Sequence, residues 1–132
     1  QGYDVLILDA FSSDAIPTHL LTREAFATYL RHLRPDGILA ANMSNRHVDI
    51  RPVVKQLAAA YDREFVWVEN WSDEPRGVYA ADWGLVTSNL EFLADPVLLA
   101  RSGDVASIAT DIQMWTDDHS DLLAVLKWWR GP

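Results

Sequence analysis

Two carboxylates, Asp9 and Asp14, follow the apolar run 5–8 and its turn. Continuous β-branched and aliphatic residues of this kind predict a strand that is buried on both faces of a parallel sheet. Ligands of open α/β sheets collect at the carboxyl ends of strands, where Asp9 lies. A carboxylate there can hold a cation or take a proton from it, so Asp9 is the first candidate for catalysis. Its alternative role, common for Asp at such positions, is to form the turn or cap the next helix.

Other polar residues are better explained as helix caps than as ligands. Asp117, Asp118 and His119 are adjacent, but a metal site needs three or more converging groups, so we predict no metal site. Thr116 and Asp117 suit the start of the short helix that we expect to follow them. We also expect Asn45 to cap the helix that comes after it.

The elements that must position these residues alternate along the chain. Apolar spacing predicts strands and helices in the order β-α-β-α-β, with helices on both faces of the sheet. This order favours parallel pairing with right-handed crossovers. The predicted strands are 5–8, 38–43, 64–69 and 83–88; the predicted helices start near 22, 50 and 95, and the residues 35–37 should end the first of them.

The passage 4–17, followed by 20–26, resembles the spermidine synthase family, and most closely the bacterial members that are often fused to membrane segments. The similarity continues through 35–40, 42–46 and 115–120. These proteins are aminopropyltransferases and relatives on the class I methyltransferase, Rossmann-like fold. The resemblance implies an α/β domain with a partial Rossmann-like sheet, mainly parallel, with an antiparallel edge strand.

The same resemblance implies roles for individual residues. Asp9 matches the family's catalytic aspartate, and Asp9 with Ala10 would border the cofactor. Asp14, Asn42 and Tyr79 would bind the amine substrate. Asp14 could instead accept local backbone N–H groups in its turn, and a phenol such as that of Tyr79 is more often a packing group at a loop edge.

A glycine-rich strand-to-helix turn, the usual signature of a nucleoside-binding Rossmann-like fold, is missing from the sequence. The chain has six glycines, and none forms that pattern. The resemblance therefore implies that residues 1–132 are one domain, the C-terminal, substrate-side part of the fold, with the cofactor-binding half upstream of Gln1. We expect this part to be inactive alone and to need the upstream half of its parent chain.

Three functions follow as hypotheses. The first is aminopropyl transfer from decarboxylated S-adenosylmethionine to a polyamine, which the resemblance implies. The second is methyl transfer from S-adenosylmethionine, because the fold does not fix the chemistry. The third is a non-catalytic domain for assembly or ligand sensing, in which an open sheet edge would drive formation of a homo-oligomer.

The composition limits the classes of molecule that this chain is expected to bind. The formal charge of −8 argues against nucleic acid, which needs clustered Lys and Arg, and favours a cationic substrate such as a polyamine. There is no cysteine, hence no disulfide and no thiol nucleophile. No apolar run reaches the roughly 20 residues that cross a bilayer. We expect a cytoplasmic location, either as a separate soluble protein or as a soluble domain of a membrane protein.

Overall fold

The computed structural model describes residues 2–10 and 16–127, which form a mixed α/β fold. Short 3-10 helices lie at Thr18–Leu20, Glu74–Arg76, Val105–Ser107 and Leu123–Val125. In the described part, no helix is both long and apolar enough to span a membrane. The longer elements are β1 (Tyr3–Leu8), α1 (Arg23–His32), β2 (Leu33–Asn42), α2 (Arg51–Ala60), β3 (Glu64–Asn70), β4 (Ala81–Thr87), α3 (Leu90–Leu93) and α4 (Pro96–Arg101).

The sheet has the strand order β1-β2-β4-β3 and is mixed rather than mainly parallel. β1 and β2 are parallel, with Leu6 opposite Leu39 and Leu8 opposite Ala41. β4 is antiparallel to both β2 and β3. The expected antiparallel edge strand is therefore corrected: β4 lies inside the sheet, because the chain returns from β3 as a hairpin whose second strand also pairs with β2.

β1 is an edge strand, and the prediction that it is buried on both faces is wrong. Val5 is 51% exposed and Ile7 is 62% exposed, whereas the alternate residues Leu6 and Leu8 pack against the core. Within the described residues, β1 pairs with β2 alone. The apolar run correctly predicts that residues 5–8 form a strand. It does not determine whether other elements cover both faces of that strand, and in the structure one face is exposed.

Helix α2 confirms its predicted amphipathic face. The residues Ile50, Val53, Val54, Leu57 and Ala58 are all buried in the core cluster. The cluster also holds residues of α1 and the sheet, and α1 contacts α2, so both helices cover the same face.

The end of α1 differs in detail from the prediction. The helix stops at His32 as the Pro35-Asp36-Gly37 signal suggests, but these three residues belong to β2 instead of forming a separate turn. The register between β1 and β2 is irregular between Tyr3 and Val5, which accommodates them.

The predicted start of α4 is confirmed. Asp95 is the N-cap residue, and its carboxylate accepts hydrogen bonds from the backbone N–H groups of Val97 at 2.8 Å and Leu98 at 3.1 Å. Pro96 occupies the first helical position, where a missing N–H costs nothing.

Candidate functional site

The carboxyl ends of β1 and β2 lie at one edge of the sheet because the two strands are parallel. Asp9 follows β1, and Asn42 is the last residue of β2. The Asn42 Nδ2 donates a hydrogen bond to the Asp9 Oδ1 over 2.8 Å. The structure thus joins two of the residues that the sequence singles out.

The orientation of the Asn42 amide follows from its second hydrogen bond. Its Oδ1 accepts from the backbone N–H of Ser44 at 3.0 Å, so the donating end must point to Asp9. Among the residues that the structure describes, no donor is bonded to the other oxygen of Asp9, and the side chain is exposed. One carboxylate oxygen is held in place while the other is open to a ligand.

A second carboxylate, Asp82, lies at the same edge because antiparallel β4 begins where β2 ends. Its backbone N–H donates to the Ser44 Oγ at 2.9 Å, and its carbonyl accepts from the Met43 N–H at 2.7 Å. The Trp67 Nε1 donates to the Asp82 Oδ1 at 3.2 Å. Asp82 is not among the site residues that the sequence predicts, since its place beside β2 depends on β4 lying inside the sheet.

Arg51, on the first turn of α2, extends this network. Its guanidinium carbon lies 4.4 Å from the centroid of the Trp67 ring, a cation–π distance. Its Nε and Nη2 donate to the two carboxylate oxygens of Asp49, each at 2.8 Å. The arginine therefore fixes the indole that in turn holds Asp82.

The ion pair shifts the pKa of both partners. Burial alone would raise the pKa of the Asp49 carboxyl, but the hydrogen bonds and the charge of Arg51 outweigh burial and hold that pKa below its usual value. The hydrogen bond to Asp49 raises the pKa of Arg51, and the nearby charges of Asp82 and Glu69 act in the same direction. Arg51 thus stays charged beside an otherwise acidic edge.

The remaining site candidates are not joined to Asp9 by described contacts. Ala10 is exposed directly after Asp9. Tyr79 lies in the loop between β3 and β4 and is 82% exposed; its carbonyl accepts a hydrogen bond from the Asn70 Nδ2 at 3.3 Å. Asp14 lies outside the described residues.

Asn45 does not cap α2, which corrects that prediction. Its Oδ1 accepts hydrogen bonds from the backbone N–H groups of His47 at 2.9 Å and Val48 at 3.0 Å. This is a local turn closed by an Asn side chain. The N-cap of α2 is Ile50, whose side chain cannot cap, because α2 starts too far along the chain for Asn45 to reach it.

The predicted helix cap at residues 116–120 is also wrong. Thr116 and His119 exchange two backbone hydrogen bonds in a turn, of 2.8 and 3.1 Å. The helix that follows is a single 3-10 turn whose first two N–H groups bond to Asp121. Asp117 instead accepts a hydrogen bond from the Thr22 Oγ1 at 2.6 Å. In the described ranges, no three His, Cys, Asp or Glu side chains converge into a group that could hold a metal ion.

An open groove with a volume of about 600 Å³ lies within the loop from β3 to β4 and beside Arg101. Its lining includes two acids and two arginines, so its formal charges balance and select no ligand by sign. None of Asp9, Asn42 and Asp82 lines it. The open oxygen of Asp9 is therefore a separate feature of the sheet edge.

Comparison with known proteins finds a short match to a polyamine aminopropyltransferase. A polyamine aminopropyltransferase from Vibrio vulnificus (strain CMCP6) is 45% identical to this chain over 42 residues, which are 32% of this chain and 14% of the relative. No family model matches the chain, and no solved structure does. The match supports a relationship to spermidine synthase-like proteins, and the similarity spans only a small part of the relative's length.

Proposed function

We propose that this chain is the substrate-side part of a spermidine synthase-like aminopropyltransferase, which uses decarboxylated S-adenosylmethionine and a polyamine acceptor. The observation that carries the proposal is the Asp9 carboxylate at a strand end, with one oxygen bonded to Asn42 and the other open. The short match to a polyamine aminopropyltransferase points to the same chemistry.

In the proposed reaction, the open oxygen of Asp9 takes a proton from the substrate ammonium. The freed nitrogen lone pair attacks the methylene carbon that is bonded to the sulfonium, so a C–N bond forms while the C–S bond breaks. The electron pair of that bond goes to sulfur, and a neutral thioether leaves. A carboxylate held at hydrogen-bonding distance from the ammonium is suited to this proton transfer.

The acidic charge of the chain supports a cationic acceptor. A net charge of −8 raises the local concentration of a polyamine, and Asp82 adds a second carboxylate at the same edge of the sheet. In this proposal Asp14 and Tyr79 complete the acceptor pocket, and Ala10 borders the co-substrate. The glycine-rich turn that would bind the nucleoside comes from an upstream half of a longer parent chain.

The proposed fold is one end of a class I methyltransferase sheet. The feature that supports this fold is the antiparallel strand β4, which lies inside the sheet next to the edge strand β3. The fold does not determine which group is transferred; the residues of the site do.

The test is an assay of aminopropyl transfer by the full-length protein to 1,4-diaminobutane and other diamines. The products are separated by chromatography and identified by mass spectrometry. We expect Asp9→Asn to lose activity by roughly 100-fold or more, since a positioned base contributes about that much. Asp4→Asn is the matched control, because Asp4 is an exposed acid on the same strand that pairs with Arg34 instead. Equal activity of Asp9→Asn and wild type contradicts the role of Asp9, and methyl transfer without aminopropyl transfer contradicts the proposed reaction.

A further inference from the structure

Residues 115–119, here called the C-terminal strap, are bonded to the start of α1 across more than ninety positions of sequence. The Thr22 Oγ1 donates to the Asp117 Oδ1 at 2.6 Å. The Asp117 backbone N–H donates in return to the Glu24 Oε2 at 3.0 Å. The strap and the first turn of α1 are thus bonded reciprocally.

The strap is anchored in the core beside these bonds. Trp115 is fully buried, and its carbonyl accepts a hydrogen bond from the Arg23 N–H at 2.9 Å. Asp117 itself is exposed, so the strap offers its carboxylate from the surface to a buried partner.

Thr22 has two roles at once. As the N-cap of α1, its Oγ1 accepts a hydrogen bond from the Ala25 N–H. The same hydroxyl donates a hydrogen bond to the Asp117 carboxylate. Thr22 is 1% exposed, and the next acceptor for its hydroxyl is the His19 carbonyl at 3.5 Å, so loss of Asp117 would leave this buried donor with only a long, weak hydrogen bond. A carboxylate close to a helix N-terminus is also favoured by the helix dipole.

The location of Thr22 connects the strap with the candidate site. In a β-α-β unit the helix starts at the sheet edge where the first strand ends, so α1 starts at the edge that carries Asp9. The segment 16–22 enters α1 from that side. It is also bonded through the Leu20 carbonyl, which accepts from the Tyr29 Oη at 3.1 Å.

We propose that Asp117 is a positioning residue for the amine site. By holding Thr22, it fixes the segment that leads from the Asp9 edge into α1, and thereby sets how well an acceptor amine is bound. This inference rests on the proposed function, to which it adds a residue far away in sequence.

The first measurement is amide hydrogen exchange of the peptides that cover 16–26. We expect Asp117→Ala to exchange there at least about tenfold faster than wild type, because the first turn of α1 opens locally when its anchor is lost. Asp118→Ala is the matched control: it removes the same charge one residue away, and Asp118 makes no hydrogen bond or ion pair within the described residues. Asp117→Asn keeps an acceptor oxygen and should restore most of the protection.

The second measurement is calorimetric titration of the same variants, made in the full-length protein, with 1,4-diaminobutane at a temperature where circular dichroism shows all of them to be folded. We expect Asp117→Ala to raise the dissociation constant roughly fivefold, a typical size for coupling through an intervening element. Asp118→Ala should bind like wild type, and Asp117→Asn should lie between. If Asp117→Ala does not fold, Asp117→Asn carries the comparison.

The outcomes separate the two proposals. If wild type binds no diamine, the proposed function is contradicted, and the exchange data alone decide whether Asp117 fixes 16–22. If wild type binds diamine but Asp117→Ala and Asp118→Ala have equal exchange and equal affinity, the role of Asp117 is overturned and only general charge remains.

Discussion

Replacing Gly103 by alanine tests how firmly Trp67 is held beside the candidate site. A Cβ at residue 103 would overlap the Cε3 and Cζ3 atoms of Trp67 and lie 2.8 Å from its Cδ2. The Gly103 N–H also donates to the Trp67 carbonyl at 2.7 Å, so the backbone cannot retreat without losing that bond. Gly103 has no positive φ, hence the cost arises from contact and not from backbone strain.

The magnitude follows from what the displaced indole loses. Overpacking costs about 1–3 kcal/mol, the Arg51 cation–π contact is worth about 0.5–1 kcal/mol at a half-exposed position, and the hydrogen bond to Asp82 about 1 kcal/mol. Since relaxation relieves part of the overlap, we expect a loss of about 3 kcal/mol in the free energy of unfolding. For a domain of this size that lowers Tm by roughly 10 °C.

The assay is urea unfolding followed by circular dichroism and tryptophan fluorescence. Gly2→Ala is the control, because a Cβ there meets only the flexible Arg34 Cγ at 3.3 Å. In a Trp67→Leu background the Gly103→Ala change should cost less than half as much, since the overlapping ring atoms are gone. If Gly103→Ala is as stable as Gly2→Ala, Trp67 is not held as described and the support of Asp82 is refuted with it.

Two further predictions concern the polar groups of the edge. Asn42→Ala should raise the dissociation constant for 1,4-diaminobutane about tenfold, measured by calorimetry, because Asp9 loses a charge-assisted hydrogen bond. Asn45→Ala is the control and should have no effect, and equal effects of the two changes would contradict the orientation of Asp9 by Asn42. The pKa of Asp49 is held below its ordinary value of 3.8, so the pair with Arg51 stabilises the fold above that pH and loses its contribution as the pH falls through the lowered pKa. Urea unfolding from pH 6 to pH 2 should therefore show a shallower loss of stability in Asp49→Asn than in wild type; parallel curves would show that the ion pair contributes nothing.

Local pattern was sufficient to predict the elements whose formation depends on their own residues. Helix α2 follows from apolar residues at helical spacing, and the start of α4 from an acidic N-cap followed by proline. The meeting of Asp9 and Asn42 was also accessible, because consecutive parallel strands end at the same edge of a sheet.

The errors arose where distant parts of the chain decide the outcome. Whether β1 is covered on both faces depends on its neighbours and not on its own apolar run. Asp82 joins the edge only because β4 pairs with β2, which no short stretch of sequence reveals. The local sequence predicts that Asp117 caps the residues after it, but its side chain accepts a hydrogen bond from Thr22, 95 positions away.

The place of β4 between β2 and β3 also has a consequence for the order of folding. β2 and β3 are joined through α2, yet they cannot close against each other, because the slot between them belongs to a strand that is synthesised later. β3 and β4 are neighbours in sequence, so their hairpin can form locally and then dock as a unit against β2. Until it docks, the inner edge of β2 is unpaired and open to pairing with other chains. We therefore expect the risk of aggregation to be greatest between the completion of β2 and the docking of the hairpin.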